Sequence, residues 1–189
     1  MVKTKACVFI SGKGSNLINL IKKSREYNFP ITIKLVICNN KNAYGISYAK
    51  KFSLPLLIID TKLRNYENVI LRNLEKYDIT FICLAGFMKI LSNKILDKYR
   101  NKTINIHPSL LPKFKGLNTY KRILNDKEQK TGCTVHFVNE KLDSGKIITQ
   151  KFFYIQKEDS EFSLKQKTQK LEIHALPEAI IKIFRNNSI

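Results

Sequence analysis

Apolar runs and amphipathic stretches alternate along most of the chain. Residues 6–10, Ala-Cys-Val-Phe-Ile, form a continuous β-prone run of the kind carried by a strand buried on both faces. Similar runs at 31–38, 54–59, 79–85 and 102–106 predict four more strands. Helical patterns lie between them. One opens at Leu17, one covers 43–51, and one covers 66–77 with Val69, Ile70, Leu74 and Tyr77 as its apolar side. A short helix over 92–99 follows, with Ser92 placed to cap it. Alternation of this kind predicts an α/β fold, a Rossmann-like open, mostly parallel twisted sheet with helices on both faces. After residue 106 the pattern changes to a loop over 108–116, a short helix over 118–124, and strands over 132–138 and 146–155. These last two predict an antiparallel strand near the carboxyl-terminal part. Leu164, Leu171, Leu176 and Ile180 give helical spacing over 163–184, where Pro177 is expected to end or kink the helix. No repeat, linker or low-complexity block breaks this order, so residues 1–189 read as a single domain.

Composition narrows the class. A hydrophobic share of 43% over 189 residues is that of a globular chain, and no apolar run approaches the ~18–20 residues of a membrane span. The start, Met-Val-Lys-Thr-Lys, leads straight into a strand-like run without a signal-peptide cleavage pattern, so a cytoplasmic protein without membrane partners is expected. Cys7, Cys38, Cys83 and Cys133 lie far apart in apolar stretches and read as reduced core thiols. The formal net charge of +19 admits a nucleic-acid partner, but the lysines are scattered and interleaved with Asn and Ile. An anionic substrate would exploit such a field equally well, so no nucleic-acid partner is expected.

Two glycine-containing turns and one proline-bounded stretch carry the candidate chemistry. Ser11-Gly-Lys-Gly-Ser-Asn16 stands between the first strand and first helix, where free amides and close backbone approach favour an anion. Leu17 breaks the dinucleotide fingerprint, and a monophosphate cradle by Gly14, Ser15 and Asn16 fits better. A tight turn with Ser15 or Asn16 capping the helix is the other reading. Residues 86–91, Gly-Phe-Met-Lys-Ile-Leu, leave the carboxyl end of the fourth strand and can either wall a flat apolar ligand or form an ordinary buried loop. Asn105-Ile-His-Pro-Ser-Leu-Leu-Pro112 puts an amide and an imidazole two residues apart on one face of a strand end. His136, in an alternating strand, and His174, on the last helix, are readable as structural. His107 can give or take a proton, Asn105 can donate to an oxyanion, and Asp143 on a later turn can orient and charge the imidazole. No Ser or Cys is set up as a nucleophile, and no clustered Cys/His set suggests a metal. The trio suits direct acyl transfer between two bound substrates.

Five segments together carry a resemblance: residues 11–17, 84–91 (Leu-Ala-Gly-Phe-Met-Lys-Ile-Leu), 105–112, 131–138 (Thr-Gly-Cys-Thr-Val-His-Phe-Val) and Leu142-Asp-Ser-Gly145. In that order, from about residue 5 to residue 180, the chain resembles the phosphoribosylglycinamide formyltransferases, folate-dependent enzymes of purine biosynthesis. The resemblance implies 10-formyltetrahydrofolate as co-substrate and glycinamide ribonucleotide as formyl acceptor, with no metal. It implies that Gly14, Ser15 and Asn16 hold the ribonucleotide phosphate, and that Glu172 reaches its ribose or glycinamide end. Met88, Lys89, Ile90 and Leu91, with Asn105, Leu142 and Asp143, would bind the folate; Arg64 matches the family's folate-binding arginine across a one-residue gap. Asn105 and protonated His107 would stabilise the oxyanion while Asp143 sustains the charge and helps move a proton. A cis peptide before Pro112 and a monomer or weak homodimer are expected as well.

The chain departs from that pattern at Lys115-Gly116, where the family has Pro-Gly, and at Glu172-Ile173, where it has Glu-His. Three alternatives remain at this stage. A formyltetrahydrofolate deformylase uses water as acceptor but normally carries an amino-terminal regulatory domain. A methionyl-tRNA formyltransferase suits the charge but resembles a longer chain. A basic nucleic-acid-binding α/β module would need none of Asn105, His107 and Asp143.

Overall fold

A computed structural model describes residues 2–185. Its elements run β1 (Thr4–Ile10), α1 (Ser15–Ser24), β2 (Ile31–Cys38), α2 (Gly45–Lys51), β3 (Leu56–Ile58), α3 (Tyr66–Lys76), β4 (Phe81–Leu84), α4 (Asn93–Lys98) and β5 (Thr103–His107). They continue as α5 (Thr119–Asn125), β6 (Lys130–Phe137), β7 (Ile147–Tyr154) and α6 (Glu161–Arg185). The strands form one seven-stranded sheet in the order β3-β2-β1-β4-β5-β6-β7. β1 pairs in parallel with β2 and with β4, β2 pairs in parallel with β3, and β6 pairs antiparallel with β7. This is the mostly parallel α/β sheet, with one antiparallel region, that the apolar pattern predicts. Two compact units divide the chain inside β5, one reaching Ile104 and the other starting at Asn105.

In the first unit β1 is the buried axis. Ala6, Cys7, Val8, Phe9 and Ile10 have no exposed surface, because a strand flanked by β2 and β4 is covered on both faces. Leu17, Leu20 and Ile21 of α1 and Ile70 and Leu74 of α3 are buried with it, each apolar side chain stabilising the unit by roughly 1.5–3 kcal/mol. Val69, assigned above to the apolar side of α3, is 40% exposed; it lies one residue off the stripe set by Ile70 and Leu74. β2 and β4 flank β1 on opposite sides, so the chain order reverses there. Ligands in open α/β sheets bind outside the carboxyl ends of strands at such a switch point. Residues 11–16 follow β1 and residues 85–91 follow β4.

The second unit is built on the β6–β7 pair and α6. Leu164, Ala175, Leu176, Ala179, Ile180 and Ile183 of α6 are buried. That helix runs on through Pro177 instead of ending there, since Leu176, Pro177 and Ala179 are all held in packed surroundings that outweigh one lost backbone donor. Leu111–Pro112 is cis, as the resemblance implies. Ser92 also differs from its expected role: it stands at the start of α4 without capping it, and its hydroxyl goes to Glu67 instead. All four cysteines are free and buried, and burial pushes the Cys7, Cys83 and Cys133 thiols up, with Cys133 reaching about 12. No helix among the described residues is long and apolar enough to cross a membrane.

Candidate active site

β5 ends by presenting Asn105 and His107 on one face, as the two-residue strand period requires. The loop behind them is stitched down. Thr134 Oγ1 donates to the Ser109 carbonyl at 2.7 Å and accepts from Leu111 N–H at 3.0 Å, while Ser109 Oγ donates to the Lys113 carbonyl at 2.7 Å. Gln150 Nε2 completes the set on the Leu111 carbonyl at 2.9 Å. His107 is 5% exposed. Its Nε2–H donates to the Phe114 carbonyl at 2.8 Å, since a carbonyl can only accept. Its Nδ1 lies 3.3 Å from Asp143 Oδ2.

Asp143 is reached from the β6–β7 connection, where it holds a left-handed φ of 46° that an aspartate tolerates better than most residues. Gly116 N–H donates to its Oδ2 at 2.8 Å. Asn105 Nδ2 makes a long 3.5 Å contact with Oδ1 and a shorter one, 3.2 Å, with His136 Nε2. His136 thus joins the site, although its place in an alternating strand gave no hint of it. Its Nδ1–H donates to the Phe137 carbonyl at 2.7 Å, so in the neutral ring Nε2 must accept, and Asn105 supplies that proton. The 3.7 Å gap from His136 Nε2 to Asp143 Oδ1 becomes a donated bond only if the ring is protonated. The Asn105 amide is therefore turned with its nitrogen inward, one N–H committed to His136 and the other held only weakly.

Burial pushes His107 below the ordinary imidazole range, more than the Phe114 carbonyl and the Asp143 carboxylate can restore, and His136 and Arg122 add to the depression. The neutral ring is the resting form near neutral pH. Burial works in the opposite sense on Asp143, but the neighbouring His136, the hydrogen bond from Gly116 N–H and the nearby His107 outweigh it and hold the carboxyl below its usual range. A charged carboxylate thus faces a ring nitrogen ready to take a proton.

The first unit holds the other predicted residues. Gly14 has φ 76°, and a Cβ there would meet Gly45 Cα at 2.7 Å; only glycine lets the turn lie this close to α2. Gly14, which has no side chain to cap with, stands at the N-cap of α1, and the first turn carries no acidic residue, so nothing negative there opposes an anion at the helix start. Asn16 is buried. Ser11 Oγ accepts from Met88 N–H at 2.8 Å and donates to Asn39, tying this turn to the loop after β4. In that loop Phe87 packs edge-on against Phe9, and Leu91 is buried, yet Met88 and Ile90 are 64% and 65% exposed. Only part of this loop is therefore buried. Arg64 is exposed in the turn before α3. In the second unit Leu142 is exposed beside Asp143, while Glu172 is buried on α6 and its charge raises the Tyr120 phenol further than burial alone does. Among the described residues no group of three or more His, Cys, Asp or Glu side chains is arranged to hold a metal.

A sequence profile of the formyl transferase family matches residues 4–180. The chain belongs to the formyl transferase family. Phosphoribosylglycinamide formyltransferase of Haemophilus influenzae is 39% identical over 190 residues, covering 95% of this chain and 86% of that protein. The trifunctional purine biosynthetic protein adenosine-3 of Homo sapiens is 39% identical over 182 residues, and there the chain spans only 18% of the relative's length. Among solved structures, glycinamide ribonucleotide transformylase 1 from Symbiobacterium toebii has a TM-score of 0.91 at 32% identity, over 98% of this chain and 89% of that one. In this formyl transferase the matched span takes in every candidate residue from Gly14 to Glu172.

Proposed function

We propose that the chain transfers the formyl group of 10-formyltetrahydrofolate to the amine of glycinamide ribonucleotide, a step of de novo purine (IMP) biosynthesis. The observation that carries the reading is the linked set Asn105, His136, Asp143 and His107, a charged carboxylate between two imidazoles and an inward-facing amide. Coverage of nearly the whole single-function relative supports it. Gly14, Ser15 and Asn16 hold the substrate phosphate at the start of α1, and Glu172 reaches its ribose or glycinamide end. Met88, Lys89, Ile90 and Leu91 bind the folate ring system, with Leu142, Asp143 and Asn105, and Arg64 takes an acidic group of its tail.

The substrate amine attacks the formyl carbon, so a C–N bond forms and the carbonyl electrons move onto oxygen. The weakly held Asn105 N–H turns to that oxygen. The growing negative charge raises the proton affinity of His107, whose Nδ1 takes a proton from water beside Asp143, holds it against the oxyanion and gives it back to water as the carbonyl re-forms. The proton lost by the attacking nitrogen passes by way of Asp143, directly or through water, to the folate nitrogen as its bond to carbon breaks. An amine nucleophile and a protein-held oxyanion need no metal. The chain acts as a single cytoplasmic formyltransferase domain, a monomer or weak homodimer.

The test gives purified protein 10-formyltetrahydrofolate with and without glycinamide ribonucleotide while tetrahydrofolate release is followed. Release that depends on the ribonucleotide is expected. Release indifferent to it would instead assign a deformylase-type hydrolase, and no release with salt-sensitive nucleic-acid binding would assign the basic-module reading.

A further inference from the structure

Arg122 has no part in the transfer chemistry, yet it grips the loop that holds His107. It extends from the last turn of α5, and its Nη2 donates to the Lys115 carbonyl. The guanidinium carbon lies 5.8 Å from the centre of the Phe114 ring, and the buried Nε has no hydrogen-bond partner. Asp126 and Glu128 line the same cavity of about 360 Å³, but among the described residues Arg122 pairs with neither, and Lys113 takes Glu128 at 2.6 Å. A guanidinium that forgoes two neighbouring carboxylates for one backbone carbonyl marks that carbonyl as what it serves.

The gripped segment is wired to the site on both sides. Phe114 sits at φ 58°, a left-handed conformation rare for a bulky aromatic residue, and its carbonyl accepts from His107 Nε2 at 2.8 Å. Gly116 N–H holds Asp143 at 2.8 Å, and Lys115 Nζ reaches Ser144 on the Asp143 turn. The carbonyl of Lys115 lies between these two attachments in sequence. A lysine at 115 leaves free the φ that a proline would fix.

We propose that Arg122 is a positioning residue. By clamping the Lys115 carbonyl it keeps the Phe114 carbonyl on His107 Nε2, which fixes the ring's tautomer and leaves Nδ1 turned toward Asp143. The kinetic part of this inference rests on the proposed formyl transfer, but the imidazole part does not.

Histidine-labelled full-length protein is examined by ¹⁵N–¹H NMR of the imidazoles, alongside steady-state kinetics and melting temperature, for the wild type, Arg122→Met and Arg122→Lys. The wild type is expected to show His107 carrying its proton on Nε2 in a slowly exchanging bond. Arg122→Met is expected to lose that signal and about tenfold in kcat while both KM values stay within about twofold, as misplacement of a reacting group would do. Arg122→Lys, which keeps a charged donor, should recover most of both. An unchanged His107 signal in Arg122→Met overturns the clamp. So does a uniform loss in kcat and both KM values that follows melting temperature and is not recovered by lysine. Should Arg122→Met fail to fold, Arg122→Gln provides the same spectrum and is judged by the same signal. A wild type that never forms formylated ribonucleotide would defeat the proposed function, while the imidazole spectra would still decide the clamp.

Discussion

His107 shows how little a residue's chemistry depends on its type alone. Its Nε2 is committed to the Phe114 carbonyl and its Nδ1 faces Asp143, so a proton arriving at Nδ1 completes an ion pair that the resting ring lacks. His107→Ala removes the proton-donating group and is expected to lower turnover about 10²-fold or more, with ribonucleotide binding retained by calorimetry. Near-normal turnover would take His107 out of the mechanism. Asp143→Asn tests the electrostatics. The carboxylate raises the imidazole pKa by attraction, so its removal is expected to lower the His107 value further, read directly by NMR titration. A rise would contradict the pairing. Both His107 and Asp143 have folded values below their unfolded ones, so each binds fewer protons folded than unfolded. Their stabilising contributions are therefore present above about pH 6.5 and about pH 4, and are lost as pH falls through each folded value. Urea midpoints measured against pH should decline on acidification, and the Asp143 share of the lower decline should vanish in Asp143→Asn.

The elements that carry these residues were legible in unequal measure. β1 and β4 announced themselves because a strand covered on both faces has no polar positions to write, and Asn105 and His107 because their spacing matches a strand period. His136 did not, since a buried imidazole in an alternating strand looks the same whether or not its neighbour across the sheet is Asn105; only the placement of β6 beside β5 tells them apart. Arg122 was equally silent, its partner being a carbonyl. The helical spacing over 163–184 did show α6, but whether Pro177 would end it is decided by packing, which a periodicity does not carry. The connection from β6 to β7 shows what a glycine can mean at this scale. A Cβ on Gly145 would lie 1.7 Å from the Phe137 carbonyl oxygen, the same oxygen that accepts from His136 Nδ1. Gly145→Ala must push the Asp143 turn off the strand end and disturb His136 together. The expected cost is about 1–3 kcal/mol or more in urea unfolding, with kcat reduced. Wild-type stability and kcat in that variant would mean that the turn has slack the geometry does not suggest.

The whole molecule carries a formal net charge of +19, and its 34 Lys and Arg residues are spread along the chain rather than gathered on one motif. Spread charge cannot position a substrate, because individual exposed lysines are screened and mobile. It can bring an anion in, since the summed field reaches beyond any one contact and weakens with salt. The turn proposed to hold the phosphate fits this division of labour: Lys13 is exposed within it, and the first turn of α1 has no carboxylate to repel an anion. Capture of the ribonucleotide should therefore depend on ionic strength and the chemical step should not. Between about 0.01 M and 0.1 M salt the screening length falls from about 30 Å to about 10 Å. Over that range kcat/KM for the ribonucleotide is expected to fall several-fold while kcat stays nearly level, and an acceptor lacking the phosphate should show a flatter response. Steady-state rates at constant pH across a salt series measure this. A kcat/KM independent of salt for the phosphorylated acceptor would remove substrate steering as the use of the charge. A kcat that falls in step would place the lysines' effect on the reaction itself, where the trio's buried geometry gives them no foothold.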